Sequence, residues 1–252
     1  MKRTVLISGA GSGLGRGLGI CLAGQGHTIL ATDLDLSRAE QTAAEIVAAG
    51  GAAQAHQLDV SSEQDVQGLL ARVGPIDVLI NNAGLQHVAP LEDFPLAKWE
   101  QLFDVMVKGT FLMSRAVLPG MRAAGYGRLI HIGSIHSLVA SPYKTAYTAA
   151  KHAILGFSKV LALETAGSEI TSNVICPAYI RTPLVDAQIG DQAIARGITE
   201  AEVIDQVMLA PMPKKAFIEC DEVAAAIEYL ASPLARNVTG QTLTIDGGWT
   251  AQ

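Results

Sequence analysis

Short apolar segments alternate with longer amphipathic segments along most of the chain. The apolar segments are residues 4–8, 27–33, 52–60, 76–80, 129–132, 171–176 and 241–245, which we predict to be strands. Segments 13–24, 37–49, 63–72, 97–124, 145–165 and 221–231 place apolar residues at helical spacing. Strands that are apolar on both faces and alternate with helices predict a parallel sheet covered on both sides. The expected fold class is therefore α/β, a doubly wound sheet in one domain, residues 1–252.

The alternation of apolar and amphipathic segments becomes irregular in residues 183–215. Two short amphipathic pieces are interrupted there by Gly190, Gly197, Pro211 and Pro213. In open α/β sheets the ligand lies beyond the carboxyl ends of the strands, so an insertion directly after a strand can cover it. We therefore predict a helical lid over the active site.

Composition and charge exclude several classes of protein. The 252 residues are 49% hydrophobic and 17% charged, which excludes a disordered chain, and the formal charge of −6 argues against a nucleic-acid partner. No apolar segment reaches the ~18 residues of a membrane span, and the one after Met1 is too short for a signal peptide. Cys21, Cys176 and Cys220 lack the spacing of a metal site. We expect free thiols, no metal, no membrane and a cytoplasmic location.

A glycine-rich turn joins the first predicted strand to the first predicted helix. Residues 8–15 read SGAGSGLG, and glycines in such a turn let a pyrophosphate approach a helix N-terminus. Asp33 follows Gly15 by 18 residues and ends the second strand, where a carboxylate can accept from both ribose hydroxyls of NAD. A purely structural tight turn is the alternative. The candidate cofactor-binding residues here are Gly9, Ser12, Gly13, Leu14, Gly15, Asp33 and Leu34.

The carboxylate of Asp33 favours NAD over NADP because it would repel a 2′-phosphate. Neither Ser12 nor Leu34 supplies a compensating cation, and Arg38 is the only nearby residue that could do so. NAD is therefore the predicted cofactor.

A serine, a tyrosine and a lysine form the candidate catalytic group. Tyr147 and Lys151 are separated by one helical turn, so both lie on the same face of the predicted helix 145–165. A Lys ammonium beside a phenol favours its ionised form and brings its pKa toward a range useful for acid–base catalysis. Most such pairs are only surface pairs, but here Ser134, two residues after the predicted strand 129–132, precedes Tyr147 by 13 residues. Ser134, Tyr147 and Lys151 are the predicted catalytic residues.

These motifs resemble the classical short-chain dehydrogenase/reductase family over essentially the whole chain. The resemblance is carried by residues 8–15, the Asn81-Asn82-Ala83-Gly84 motif, the catalytic group and Pro177. It implies a Rossmann sheet of seven parallel strands, with Tyr147 as proton donor or acceptor. It also implies that Lys151 holds the nicotinamide ribose and that Ser134 binds the substrate oxygen.

The same resemblance extends the set of cofactor-binding residues. Asp59 and Val60 are expected at the adenine, residues 82–84 beneath the cofactor, and Ile180 and Thr182 at the nicotinamide carboxamide. The cofactor contacts implied in this way are Asp59, Val60, Asn82, Ala83, Gly84, Tyr147, Lys151, Pro177, Ile180, Thr182 and Leu184.

A narrower resemblance, to the bacterial D-3-hydroxybutyrate dehydrogenases, appears in segments 84–90, 138–141, 182–185, 188–189 and 246–251. Members of this group interconvert D-3-hydroxybutyrate and acetoacetate with NAD. The resemblance implies a short 3-hydroxy or 3-oxo carboxylate as substrate and a homotetramer as the assembly. The substrate-binding residues that it implies are Gln86, His136, Lys144, Tyr179, Gln188 and Trp249.

Met106 departs from the family pattern. It stands where the family has an Asn before Gly109, and a thioether cannot replace an amide in a water-mediated proton relay behind Lys151. The proton must then leave by another route, through His136 or directly from the lid side, and we hypothesise the route through His136. The turnover number for oxidation should then rise with pH near the ordinary His pKa of ~6.5.

Two other functions fit the sequence less well. A related enzyme could act on another small hydroxy acid or on a neutral secondary alcohol or ketone. A non-catalytic NAD-binding sensor would be expected to lack Tyr147 or Lys151, and both are present.

Overall fold

The computed structural model describes residues 2–182, 185–186, 189–190, 193–194 and 197–251. Within these residues, seven parallel strands form one sheet in the order β3-β2-β1-β4-β5-β6-β7. The strands are β1 (Thr4–Ser8), β2 (Thr28–Asp33), β3 (Ala52–Gln57), β4 (Val78–Asn81), β5 (Gly127–Ile132), β6 (Ile170–Pro177) and β7 (Thr242–Ile245). The strand order reverses direction at β1, which lies between β2 and β4. The predicted doubly wound α/β fold is confirmed.

Helices cover both faces of this sheet. They are α1 (Gly13–Gly24), α2 (Leu36–Ala48), α3 (Glu63–Leu70), α4 (Leu96–Phe103), α5 (Gly109–Ala124), α6 (Thr145–Thr165) and α7 (Cys220–Ala231). Successive residues of β1 point to opposite faces: Val5 and Ile7 pack in the cluster that includes α1, α2 and α7, whereas Leu6 packs in the cluster that includes α3 and α5. Burial of each such side chain contributes about 1.5–3 kcal/mol.

The bounds of several predicted elements differ from those observed, and two of these differences have a clear local cause. The third strand ends at Gln57 rather than at residue 60, because the Asp59 carboxylate accepts hydrogen bonds from the backbone N–H and hydroxyl of Ser61 and turns the chain. The predicted helix 97–124 is divided by a π-helical turn, Asp104–Lys108, between α4 and α5. Such turns are frequent at functional sites.

The carboxyl end of β1 is joined to that of β4 by a compact set of hydrogen bonds. The hydroxyl of Ser8 accepts from the backbone N–H groups of Asn82 and Ala83, at 3.0 and 3.1 Å. The amide of Asn82 donates back to the carbonyl groups of Ser8 and Gly9. These bonds hold the glycine-rich turn against β4, at the point where the strand order reverses and ligands of this fold class bind.

The predicted lid is described only in part. Leu184 and Gln188 lie outside the described residues, as do several of their neighbours in segment 183–196. Among the described residues, Ile189, Val203 and Met208 form a small apolar cluster that also contacts Tyr179 and Phe217. This cluster connects the described parts of the segment to the loop after β6.

Three predictions from the sequence concern membrane-spanning helices, metal sites and the state of the cysteines. Within the described ranges, no helix is both long enough and apolar enough to cross a membrane. The same part of the chain contains no group of three or more His, Cys, Asp or Glu side chains arranged to hold a metal ion. Cys21, Cys176 and Cys220 are free thiols.

Candidate active site

A cavity of about 460 Å³ opens at the carboxyl ends of the central strands. It has the size of a small-molecule or cofactor site. Most of the predicted site residues line it, although they come from widely separated parts of the sequence. These are Gly9, Ser12, Gly13, Leu14, Gly15, Asp33, Leu34, Asp59, Val60, Asn82, Ala83, Gly84, Gln86, Ser134, His136, Lys144, Tyr147, Lys151, Pro177, Tyr179, Ile180 and Thr182.

The glycine-rich turn leaves room for a ligand beside the start of α1. Gly9 and Gly13 adopt positive φ angles of 66° and 52°, which favour glycine. A Cβ atom on Gly15 would lie 2.1 Å from the carbonyl oxygen of Gly9, so no side chain fits there. The first N–H groups of a helix lack partners within it and attract anions. The turn therefore fits the pyrophosphate of a dinucleotide.

Asp33 is held beside this turn at the end of β2. Its carboxylate accepts hydrogen bonds from the backbone N–H of Gly11 at 2.9 Å and from that of Asp35 at 3.1 Å. Arg38 is mostly exposed, and its guanidinium lies 3.4 Å from the Asp35 carboxylate. Asp33 thus keeps its place facing the cavity, while the nearest cation is directed toward another carboxylate.

Ser134 is held by hydrogen bonds within its own turn. Its hydroxyl oxygen accepts from the backbone N–H of His136, and the hydroxyl of Ser137 accepts from the N–H of Ser134, both at 3.1 Å. Ser134 and Ser137 are both buried. This reciprocal cap leaves the Ser134 hydroxyl proton available to a substrate oxygen.

Tyr147 and Lys151 lie on the face of α6 that meets the sheet. The Lys151 ammonium donates to the carbonyl oxygen of Ile132 at 2.7 Å and lies 5.7 Å from the centre of the Tyr147 ring. Burial lowers the pKa of Lys151 to about 8 and raises the pKa of Tyr147. The pKa of Tyr147 is therefore shifted in the direction opposite to the one expected, because burial is the largest influence on it. The neighbouring Ser134 hydroxyl acts in the lowering direction.

Lys144 and His136 come together at the substrate end of the cavity. The Lys144 ammonium donates to Nε2 of His136 at 3.3 Å and lies 5.5 Å from the centre of the Tyr179 ring. Burial, reinforced by the Lys144 charge, lowers the pKa of His136 to about 4. His136 is therefore a neutral acceptor at physiological pH. The proposed titration of His136 near 6.5 is wrong, because the ring is only 3% exposed and faces a cation.

An aromatic group closes this end of the cavity. Tyr179 lines the cavity, and Trp249 stacks on it at 6.0 Å between ring centres. Trp249 also meets the His136 ring edge to face. Trp249 is not among the residues that line the cavity, but its ring contacts two that do, Tyr179 and His136.

Met106 lies in the π-helical turn and is 1% exposed. It packs in an apolar cluster with Leu102, Ala146 and Ala150, which Tyr147 also contacts. Its backbone carbonyl accepts a hydrogen bond from the Thr110 hydroxyl at 2.6 Å. The thioether therefore fills space beneath the catalytic tyrosine, where the family pattern has an amide.

Several residues that line the cavity are not among the site residues predicted from the sequence. Most of them are apolar, so their pattern resembles that of core residues. Leu58, Gly133 and Ala178 directly follow strands, and that position is the one available signal. The residues that were not predicted are Leu58, Leu85, Val105, Ile132, Gly133, Ile135, Ala178 and Val185.

Comparisons with known proteins agree with this arrangement. The family model described as short chain dehydrogenase matches residues 3–193. A D-beta-hydroxybutyrate dehydrogenase of Rhizobium meliloti is 42% identical, with all of both chains covered. Another of that name, from Cupriavidus necator, is 39% identical over 99% of this chain and 98% of its own.

A solved structure shows the same fold. It is a chain provisionally named 2-deoxy-d-gluconate 3-dehydrogenase from Agrobacterium tumefaciens, with bound NADP. The TM-score is 0.87 at 30% identity, over 99% of this chain and 97% of the other.

The glycine-rich turn, Asp33 and the group of Ser134, Tyr147 and Lys151 surround one cavity at the end of a doubly wound sheet. This arrangement fits a nicotinamide cofactor next to Tyr147. Together with the matches over the full length, it shows that the chain is an oxidoreductase belonging to the short-chain dehydrogenase family.

Proposed function

We propose that this enzyme interconverts D-3-hydroxybutyrate and acetoacetate with NAD. The observation that carries the proposal is the buried edge of the cavity where the Lys144 ammonium contacts His136. A cation beside the catalytic serine and tyrosine suits a small anionic substrate rather than a neutral one. Similarity to two D-beta-hydroxybutyrate dehydrogenases at 42% and 39% identity supports the same substrate.

The carboxylate of the substrate would bind at Lys144. Charge-assisted hydrogen bonds of this kind contribute about 1.5–3 kcal/mol each. Gln86 also lines this part of the cavity and could contact the carboxylate. In the proposal, Tyr179 provides the wall against which the short carbon chain packs, with Trp249 stacked on it.

The chemistry proposed for the reacting carbon needs one proton transfer and one hydride transfer. In the oxidative direction the Tyr147 phenolate accepts the proton of the 3-hydroxyl, and the Ser134 hydroxyl donates a hydrogen bond to the same oxygen. NAD, when bound, accepts the hydride from C3. The Lys151 ammonium would act against the effect of burial on Tyr147, because a neighbouring positive charge favours the phenolate over the phenol. In the reductive direction Tyr147 returns the proton to the ketone oxygen.

The cofactor proposed is NAD. Asp33 is the supporting residue, since its carboxylate faces the cavity and would repel a 2′-phosphate. Arg38 would be the cation that reverses this preference, and it lies beside Asp35 instead. The Agrobacterium tumefaciens protein has bound NADP, so a comparison of the two cofactors tests this preference directly.

The test is a turnover assay with the purified protein. NAD and NADP are each supplied with D-3-hydroxybutyrate, L-3-hydroxybutyrate and the neutral alcohol 2-butanol. We expect the highest kcat/KM with NAD and the D acid, and no turnover by the Tyr147→Phe variant. A higher kcat/KM for 2-butanol than for the D acid would contradict the proposed substrate.

We also propose that the enzyme is a homotetramer. Helices α5 and α6 leave Phe111, Val160 and Leu163 exposed, by 42%, 56% and 79%. Apolar side chains on neighbouring helices suit contact with another copy of the chain. Light scattering on the purified protein measures the mass, and a monomer of 26.4 kDa would contradict the proposal.

A further inference from the structure

A tight turn comes directly before the helix that carries the catalytic tyrosine. Pro142 and Tyr143 occupy the central positions of the turn. Lys144 comes next and immediately precedes α6. Tyr143 has a φ angle of +67°. A turn with proline at its second position and a positive φ at its third is a type II turn, where glycine or asparagine is usual. A tyrosine in this conformation is strained.

The side chain of Tyr143 does not account for this strained conformation. It is 58% exposed, so little of the phenol is packed against the protein. The backbone, in contrast, is engaged: the carbonyl of Tyr143 accepts a hydrogen bond from the N–H of Ala89 at 3.1 Å. This bond joins the turn to the segment after β4, which contains Gln86. The turn therefore connects two sides of the substrate end of the cavity.

Lys144, the residue directly after this turn, has its side chain inside the cavity. A lysine at the start of a helix would ordinarily extend into solvent. Here its ammonium contacts His136 at 3.3 Å and lies over the Tyr179 ring. Tyr147 and Lys151, further along α6, are instead held by the packing of Ala146 and Ala150, which are fully buried.

We propose that Tyr143 is a positioning residue whose left-handed backbone directs Lys144 into the cavity. The role belongs to the backbone and not to the phenol. The inference rests on the proposed function, because it treats Lys144 as the group that binds the substrate carboxylate. It predicts that a change of backbone preference at position 143 alters carboxylate recognition but leaves the acid–base group in place.

Three variants separate the backbone from the side chain. Tyr143→Asn removes the aromatic ring but tolerates a positive φ, whereas Tyr143→Val strongly disfavours it. Tyr143→Phe removes only the hydroxyl. We expect Tyr143→Val to raise KM for D-3-hydroxybutyrate by about tenfold and to change kcat/KM for 2-butanol by less than about twofold. Tyr143→Asn and Tyr143→Phe should resemble the unaltered enzyme. If Tyr143→Val fails to fold, Tyr143→Ala serves in its place with a smaller effect in the same direction.

A second measurement needs no substrate. Limited acetylation followed by peptide mass spectrometry compares the reactivity of Lys144 with that of Lys159, an exposed lysine on the same helix. The ratio of Lys144 to Lys159 modification should rise in Tyr143→Val and stay unchanged in Tyr143→Asn. An unchanged ratio in Tyr143→Val overturns the inference, and so does an equal rise in Tyr143→Phe, since that would assign the role to the phenol.

The two measurements also distinguish failure of the inference from failure of the proposed function. If the unaltered enzyme does not oxidise D-3-hydroxybutyrate but the modification ratio changes as expected, the substrate assignment is wrong and the positioning role stands. If the unaltered enzyme oxidises the acid and Tyr143→Val changes neither KM nor the ratio, the positioning role is wrong.

Discussion

The Nζ atom of Lys144 lies 3.3 Å from Nε2 of His136, and burial lowers the pKa of both side chains. With a pKa of about 4, His136 accepts a hydrogen bond and Lys144 supplies the only charge of the pair near neutral pH. Because Lys144 is charged and His136 is neutral, the substrate end of the cavity can bind an anion near neutral pH. The same two pKa shifts determine the pH effects that we expect at this end of the cavity.

Replacement of Lys144 should separate acidic from neutral substrates. Lys144→Ala removes the proposed carboxylate contact, so KM for D-3-hydroxybutyrate should rise by about 10- to 100-fold, the equivalent of ~1.5–3 kcal/mol. Turnover of 2-butanol should change little, because only the acid uses this contact. Steady-state kinetics measures both, and Lys159→Ala on the exposed face of α6 is the matched control. Equal losses on the two substrates would show that Lys144 does not recognise the carboxylate.

His136 should contribute to loss of stability in acid. In the unfolded chain its pKa is near ~6.5, and in the fold it is about 4. Between these values the unfolded chain takes up a proton that the folded protein does not, so stability falls as the pH decreases. The slope due to this residue approaches ~1.4 kcal/mol per pH unit.

His136→Gln keeps an acceptor for Lys144 and removes the titration. Urea denaturation between pH 7 and 4.5 should therefore show a shallower loss of stability in this variant. His87→Gln, at a half-buried position in the segment after β4, is the control. Identical slopes in the unaltered protein and the His136 variant would contradict the depressed pKa.

Reduction of the ketone should slow as the pH rises through about 8. Tyr147 delivers the proton, and Lys151 must be charged to hold the site in its working state. Burial lowers the pKa of Lys151 to about 8, so that charge is present below this pH and is lost above it. A plot of log kcat/KM for acetoacetate reduction against pH measures the effect. A profile that stays flat up to pH 10 would show that reduction does not depend on the charge of Lys151.

The preference for NAD should depend on Asp33. The double change Asp33→Ala with Leu34→Arg replaces a repelling carboxylate by a cation, so kcat/KM with NADP should rise and that with NAD should fall. Leu34 is 66% exposed, so arginine fits at that position. Leu34→Ala is the control for loss of the leucine alone. If the unaltered enzyme uses NADP as well as NAD, Asp33 does not set the preference.

Replacement of Met106 by Asn, the residue of the family pattern, should destabilise the fold. Met106→Asn places an amide beside Leu102, Ala146 and Ala150, which should lower the free energy of unfolding by about 1–3 kcal/mol. Met106→Leu conserves volume and should cost less than about 1.5 kcal/mol. Chemical denaturation measures both values. An Asn variant as stable as the unaltered protein would show that the amide finds hydrogen-bond partners in this cluster.

The sequence by itself determined the fold class and the identity of most cavity residues, because both depend on local pattern. Alternation of buried strands with helices predicts the sheet, and each strand end predicts where a functional side chain such as Asp33 or Ser134 will lie. Spacing by one helical turn places Tyr147 and Lys151 on one face of α6 wherever that helix packs.

Only the tertiary structure determined the pKa values of these groups and the contacts that hold them in place. The pKa values of His136 and Lys151 depend on solvent that the rest of the fold excludes, and no local pattern records that exclusion. The stacking of Trp249 on Tyr179 joins residues 70 positions apart in the sequence, and no local pattern predicts it. The left-handed turn at Tyr143 is held by a bond to Ala89, 54 residues earlier in the sequence. Contacts between distant segments, and the burial that they create, are set by the folded chain as a whole.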